Sequence, residues 1–328
     1  MTKFSILDLV PIAEDSNIGA AIANSADMAA LAETLGFTRY WIAEHHGMNG
    51  IGGAATSLVI SHIAAATKTI RVGSGGIMLP NHPALVIAEQ FGTLDALYPG
   101  RIDLGLGRAP GSDQRVAQAL WRHLSSDGND FPREVMQLQS YFANHDPAGI
   151  VATPGAGAKV QLFILGSSLY GAQMAAAMGL PYAFASHFAP QLLDQALQVY
   201  RDNFRPSAAL ERPYAMAAFN IIAADTDEEA EYLASSMQQS FVRLRTGNPG
   251  QMPPPIAGYK ATLPPQHAAI LDGVLECSAI GGTDKVADGV AAFLKRTQVD
   301  EVIVTGSVFD HAKRRRSLEI AAEVLKQS

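Results

Sequence analysis

Arg39-Tyr40-Trp41-Ile42-Ala43-Glu44-His45-His46-Gly47 is the stretch on which the reading of this chain turns. Its first half is aromatic and β-branched, the composition of a strand. Its second half is an acid, two imidazoles and a glycine, followed by the loop-like Met48-Asn49-Gly50-Ile51-Gly52-Gly53. An apolar strand that breaks into titratable groups is typical of a parallel α/β protein at the carboxyl end of a strand, where such folds place their chemistry. A hydrated strand end that happens to carry two histidines would look the same locally, so the surrounding pattern decides.

Outward from it, strand-like and helix-like segments alternate. Phe4–Val10 reads as a buried strand and Ser25–Leu35 as a helix stopped by Gly36. The quoted stretch is the second strand, and Thr56–Ala66 is a helix. Ile70–Leu79 is a third strand with an unusual middle, Gly73-Ser74-Gly75-Gly76. Glycines weaken a strand, so this run suggests close approach of another group. Pro83 suits the first turn of a helix running to Leu97. Arg101–Gly107 is a fourth strand, with helices expected near Asp113–His123 and Arg133–Asn144. Val160–Leu165, Tyr182–Ser186, Tyr214–Ala223 and Glu301–Thr305 supply the fifth to eighth strands, each followed by a helical pattern. An insertion separates the seventh and eighth strands. It holds the proline-rich loop Thr246–Pro265 and a helical piece around His267–Glu276.

This alternation implies an all-parallel sheet with helical crossovers. Eight units close into a (β/α)8 TIM barrel of the α/β class, which leaves no edge strand; a doubly wound sheet is the alternative. No domain boundary is marked, so residues 1–328 are read as a single domain.

The chain has 328 residues, 48% of them apolar, enough for a large core. Its net charge is −7, and the basic run Lys313-Arg314-Arg315-Arg316 falls in a helical pattern. These features argue against nucleic acid or an anionic membrane as partners. No apolar run is long enough to span a bilayer, and Met1-Thr2-Lys3-Phe4 does not open a secretory leader. A single cysteine, Cys277, excludes an internal disulfide and a cysteine-rich metal site. The expectation is a soluble, cytoplasmic protein.

In a barrel the strand ends share one mouth. Asp8, Glu44-His45-His46, Ser74-Gly75-Gly76, Arg108, Gly166-Ser167-Ser168 and Ser186-His187 fall at successive ends. Gly166-Ser167-Ser168 opens a helix, whose unpaired N–H groups and partial positive charge suit a phosphate; plain capping by a serine is the alternative. Arg108 offers that phosphate a charge-assisted partner, or forms a surface ion pair. Gly75-Gly76 would let a flat ring lie against the backbone and would accommodate a cis peptide. Gly105-Leu106-Gly107-Arg108-Ala109-Pro110 lacks the third glycine of a dinucleotide fingerprint. Walker A and nucleophile-elbow sequences are absent. Adjacent residues on a strand point to opposite faces, so His45 and His46 cannot easily share an ion, and no metal is expected. His62, His123, His145 and His267 read as surface or core residues, and His82, before Pro83, as a helix-entry residue.

The strings Trp41-Ile42-Ala43-Glu44-His45-His46, Val72-Gly73-Ser74-Gly75-Gly76-Ile77-Met78-Leu79-Pro80, Ala88-Glu89-Gln90 and Tyr98-Pro99-Gly100-Arg101 resemble those of bacterial luciferase-like flavin monooxygenases. Gly107-Arg108-Ala109-Pro110-Gly111-Ser112-Asp113-Gln114 and Leu165-Gly166-Ser167-Ser168-Leu169-Tyr170 resemble the single-chain bacterial branch of unassigned substrate. The resemblance spans nearly the whole chain. It implies a (β/α)8 barrel that takes reduced FMN from a separate NAD(P)H flavin reductase. Dioxygen then adds to give a flavin hydroperoxide, which oxygenates a small organic substrate such as an aldehyde or ketone.

Residue by residue, the resemblance implies that His45 is the catalytic acid/base. Arg108 would bind the flavin phosphate together with Gly166, Ser167 and Ser168. Ser74 and a cis Gly75-Gly76 peptide would support the flavin ring, and Thr246–Pro265 would be a mobile lid. Glu44 either orients the ring of His45 or acts as an ion-pair partner. Light emission does not carry over, because the luciferase α subunit has a reactive cysteine where this chain has Gly107. A homodimer through the helices after the second and third strands is also implied; Leu58, Val59, Ile60 and Ile63 on the first of these give it apolar surface. Two alternatives remain: hydride transfer with a deazaflavin on the same barrel, and a flavin-binding protein without turnover.

Overall fold

A computed structural model describes residues 2–108, 114–120 and 130–327. The chain runs β1 (Lys3–Asp8), α1 (Ile18–Leu35), β2 (Arg39–Ile42), α2 (Thr56–Ala66), β3 (Arg71–Met78), α3 (Ala84–Leu97), β4 (Ile102–Gly107), α4 (Gln114–Leu120) and α5 (Phe131–Phe142). It continues β5 (Gln161–Gly166), α6 (Leu169–Met178), β6 (Tyr182–Phe184), α7 (Leu193–Asn203), β7 (Ala215–Ala223), α8 (Asp227–Arg245), α9 (Pro265–Val274), β8 (Ser278–Gly281), α10 (Thr283–Thr297), β9 (Glu301–Thr305) and α11 (His311–Leu325). Ends of the helix expected over 113–123, together with His123, lie outside the described residues.

The sheet order is β6-β5-β4-β3-β2-β1-β9-β7-β8, and β6 also pairs with β7. That last pairing closes a parallel eight-strand barrel with helices between its strands, the expected TIM-barrel fold. The expected strand count needs one correction. The eighth barrel stave is the expected Glu301–Thr305, here β9, and the strand not expected is β8. β7 is long enough to pair with β9 over Met216–Asn220 and then with β8 over Asn220–Ala223. β8 is therefore an annex, and it escaped the sequence reading because four residues between two helices carry almost no period-2 signal. The first helix is also longer than expected: Asn17 caps it, its side chain accepting from Ala20 N–H at 3.1 Å.

Alternation along each strand builds two cores. Tyr40, Ile42, Val72, Leu104 and Ile164 face the helices. Leu7, Trp41, Phe163, Ala183, Met216 and Ile303 fill the barrel interior, with the Trp41 and Phe163 rings edge to face at 4.9 Å. Beneath them, at the amino-terminal end, lies a buried ionic plate. Arg39 donates to Glu301 at 2.8 and 3.1 Å and to Asp103 at 2.8 Å. Trp41 Nε1 donates to Asp103 at 3.0 Å, Tyr214 to Glu301 at 2.6 Å, and Ser5 also to Glu301. Asp8 belongs to a separate network outside the barrel lumen, receiving Arg314 at 2.8 Å and Tyr40 at 2.5 Å. It is not a mouth residue, contrary to its place at a strand end in the sequence.

Candidate active site at the barrel mouth

The ladder that holds β2 continues past Ile42. Ala43 N–H donates to Asp8 O at 3.1 Å and Glu44 N–H to Gly76 O at 3.3 Å. Alternation therefore persists here. Trp41 and Ala43 are inside, so Glu44 falls on the helix side and His45 on the lumen side.

Glu44 is fully buried and saturated. Its Oε1 receives His46 Nε2 at 2.7 Å, His82 Nε2 at 2.9 Å and Asn81 Nδ2 at 3.4 Å; its Oε2 receives Met78 N–H at 3.1 Å. Burial alone would raise the carboxyl pKa, but the hydrogen bonds from His46 and His82 outweigh it and hold the group at about 2. An ionised carboxylate only accepts, so both imidazoles carry a proton on Nε2. Glu44 thus ties the end of β2 to the loop after β3. The residues that it holds are His46 and His82, the latter read from the sequence as a helix-entry residue.

Glu44, His46 and His82 have the donor chemistry of a metal triad. The contacts, however, are hydrogen bonds. Metal–ligand bonds of about 2.0–2.2 Å in tetrahedral geometry would set ligand atoms roughly 3.3 Å apart, and here every donor already has its acceptor.

The glycine run lies where the sequence placed it, and the Gly75–Gly76 peptide is cis. Part of the glycine signal is packing. A Cβ on Gly75 would meet Leu7 Cδ1 at 2.6 Å, and one on Gly105 would meet Ser74 O at 2.3 Å. Ser74 is buried and its hydroxyl donates to Gly105 O at 3.0 Å, so that hydroxyl is committed to the sheet. Arg101 is likewise structural, donating to Ile70 O at 3.0 Å and Thr67 O at 3.1 Å.

Arg108 is exposed at the end of β4 and stacks 4.2 Å over the ring of Tyr170 in the first turn of α6. It forms no ion pair among the described residues. Ser168 occupies the N-cap position of α6 in extended geometry, yet its side chain makes no capping bond. A Cβ on Gly166 would meet nothing closer than 3.7 Å. Arg108, Gly166, Ser167 and Ser168 thus lie around the start of α6, and among the described residues the side chains of Arg108, Ser167 and Ser168 form no hydrogen bond.

Thr246–Pro265 is fastened in this structure. Met252 N–H donates to Ile12 O at 2.8 Å and Glu14 N–H to Met252 O at 2.9 Å. The segment lies across the loops after β1 and β2, where a Cβ on Gly50 would meet Gly250 O at 2.0 Å.

A family model described as luciferase-like monooxygenase matches residues 2–301. The chain belongs to the luciferase-like monooxygenase family. A relative from Escherichia coli K12 named luciferase-like monooxygenase is 54% identical over 325 residues, covering 99% of this chain and 97% of that protein. The N-acetyl-S-alkylcysteine monooxygenase of Bacillus subtilis is 34% identical over 254 residues, covering 75% of each. Among solved structures, apo-MsnO8 superposes with a TM-score of 0.91 at 31% identity, covering 100% of this chain and 99% of that one. Two more distant structures share the fold. One is the oxygenating constituent of 3,6-diketocamphane monooxygenase of Pseudomonas putida with FMN, with a TM-score of 0.76, 17% identity and coverage of 98% and 97%. The other is an F420-dependent secondary alcohol dehydrogenase, with a TM-score of 0.69, 14% identity and 99% of each chain covered. Among the described residues of this luciferase-like monooxygenase, no helix is long and apolar enough to cross a membrane.

Proposed function

We propose that this luciferase-like monooxygenase is the oxygenating component of a two-component system. It binds reduced FMN delivered by a separate NAD(P)H flavin reductase and uses dioxygen to oxygenate a small organic substrate, an aldehyde or ketone. The observation that carries this reading is the donor set at the start of α6. Among the described residues Arg108 has no carboxylate partner, and it lies against the first helical turn, which suits a phosphate monoester by charge and by geometry. Gly75, which is only partly buried at the end of β3, would carry a flat ring against its backbone, so the residues present fit a flavin mononucleotide.

When bound, reduced FMN supplies the electrons that activate dioxygen. The chain's own residues do the rest. Arg108 and the α6 start anchor the phosphate. His45 holds or moves a proton at the lumen side, for which an imidazole is suited near neutral pH. Glu44 positions the β3 loop through Met78 and His82. The packed interior around Trp41 and Phe163 excludes water from below. Anaerobic titration with reduced FMN, followed by substrate-dependent dioxygen uptake with candidate aldehydes and ketones, tests this reading. His45→Ala is expected to bind FMN normally and to lose most oxygenation; full activity in that variant overturns the assignment.

The second reading is deazaflavin-dependent hydride transfer. Its support is the shared fold with the F420-dependent dehydrogenase, since the same phosphate clamp would serve that cofactor. Titration with both reduced cofactors separates the two. In either case the chain acts as one barrel unit in the cytoplasm. Of the residues read as apolar dimer surface, Val59, Ile60 and Ile63 are buried in the subunit's own core, so a homodimer would cover Leu58 on α2 and Leu97 on α3, which are 72% and 60% exposed; a monomer mass in light scattering rejects it.

A further inference from the structure

His187 is a second histidine at the mouth, and the proposed chemistry does not use it. It follows β6, which lies on the opposite side of the closed barrel from β2: β3, β4 and β5 separate them one way, and β1, β9 and β7 the other. His45 nevertheless contributes to the electrostatics of His187. The two residues are therefore near enough across the mouth for charge on one to act on the other. The backbone is pinned there. Asn220 Nδ2 donates to His187 O at 2.8 Å, and Ser186 Oγ donates to Ala218 O at 2.5 Å, both anchors lying on β7. The Phe188 ring packs edge-on to the imidazole at 4.9 Å.

The imidazole is 9% exposed, and its Nδ1 is sealed without a hydrogen-bond partner among the described residues. A sealed N–H without an acceptor is rarer in folded proteins than an under-satisfied acceptor, so the proton belongs on Nε2. Burial first, and the charge of His45 second, lower the pKa to about 3. The ring therefore stays neutral across the working range and cannot serve as the proton carrier. A neutral N–H held at the mouth suits an oxygen with lone pairs and rising negative charge.

We infer that His187 is a hydrogen-bond donor through Nε2, held on the opposite side of the mouth from His45 and placed to receive a carbonyl oxygen. This rests on the proposed function. The carbonyl is either one of those on the flavin ring or that of the organic substrate, and the donor chemistry is the same for both.

Nitrogen-15 labelling of the histidines, with the His187 signals identified by their loss in His187→Gln, tests the inference without turnover. In free protein between pH 5.5 and 8, His187 is expected to show the neutral Nε2–H form; a charged ring or an Nδ1–H form overturns it. FMN is then titrated, followed by cyclohexanone and decanal, with and without FMN. Movement of the Nε2–H signal with FMN assigns the flavin carbonyl. Movement only with a carbonyl compound assigns the substrate. Movement with neither overturns the inference. His187→Phe should weaken the ligand that moves the signal by roughly three- to tenfold, and His187→Gln, which keeps an N–H donor, by less than about twofold. If flavin fluorescence shows no FMN binding while the carbonyl compounds still move the signal, the cofactor reading fails and the donor role stands.

Discussion

His82 Nε2 donates to Glu44 Oε1 across 2.9 Å and 38 residues of chain. That bond makes one carboxylate the junction of two loops. The Glu44 carboxyl sits at about 2 against an ordinary 4.5. A depressed acid pKa adds stability that is fully present above about pH 5 and is lost as pH falls toward 2. The shift corresponds to about 3 kcal/mol at most. Glu44→Gln should remove that pH dependence and cost about 1–3 kcal/mol at pH 7, because the Met78 N–H then faces either an amide donor or a lost partner. Urea midpoints of both proteins at pH 7 and pH 4 measure it: the wild type should lose stability between these values by more than the variant does.

Two glycines at the mouth should respond differently to a methyl group. On Gly75 it meets the far end of the Leu7 side chain at 2.6 Å; on Gly105 it meets the Ser74 carbonyl oxygen at 2.3 Å. A side chain can swing aside, whereas the backbone of a paired strand cannot. Gly75→Ala should cost about 1–3 kcal/mol and Gly105→Ala more, as read from thermal and urea melts.

Arg39 and Arg296 offer a contrast between ion pairs. Arg39 is almost wholly buried between Glu301 and Asp103, while Arg296, paired with Asp194 and Glu276, is 38% exposed. Arg39→Met should cost about 3–5 kcal/mol because it strands buried carboxylates. Arg296→Ala should cost no more than about 1 kcal/mol. Equal losses in chemical denaturation would contradict the burial assigned to Arg39.

Arg108→Ala isolates the phosphate. Losing charge-assisted bonds should weaken FMN by about 10- to 150-fold, while riboflavin, which lacks the phosphate, should bind within about twofold of wild type. Fluorescence quenching titrations of the two flavins provide the comparison, and a parallel loss for both would remove Arg108 from the clamp.

Local signals made most of the fold legible. The abrupt change at Glu44 marked a strand end, Pro83 marked the entry to α3, and Gly36 at φ +85° stops α1 as its lack of a Cβ allows. The barrel followed from strand and helix alternation. β8 did not, because a four-residue strand beside a long β7 has no pattern of its own. At the site, alternation set His45 and His46 on opposite faces, and the resemblance proposed His45 for the chemistry. The partners of Glu44 were not readable, since His82 reaches it through tertiary folding and the residue looks like an ordinary helix entry. His187 appeared in the sequence only as a polar residue after a strand. Its significance depends on which stave lies opposite, and that is a property of closure.

The ionic plate formed by Arg39, Glu301, Asp103, Ser5 and Tyr214, capped by Trp41 and Phe163, gives the barrel a floor. A vessel with one opening imposes an order of traffic. Under the proposed function, a cofactor settled beneath its substrate would enter first and leave last, so release of the upper molecule would gate exchange of the lower.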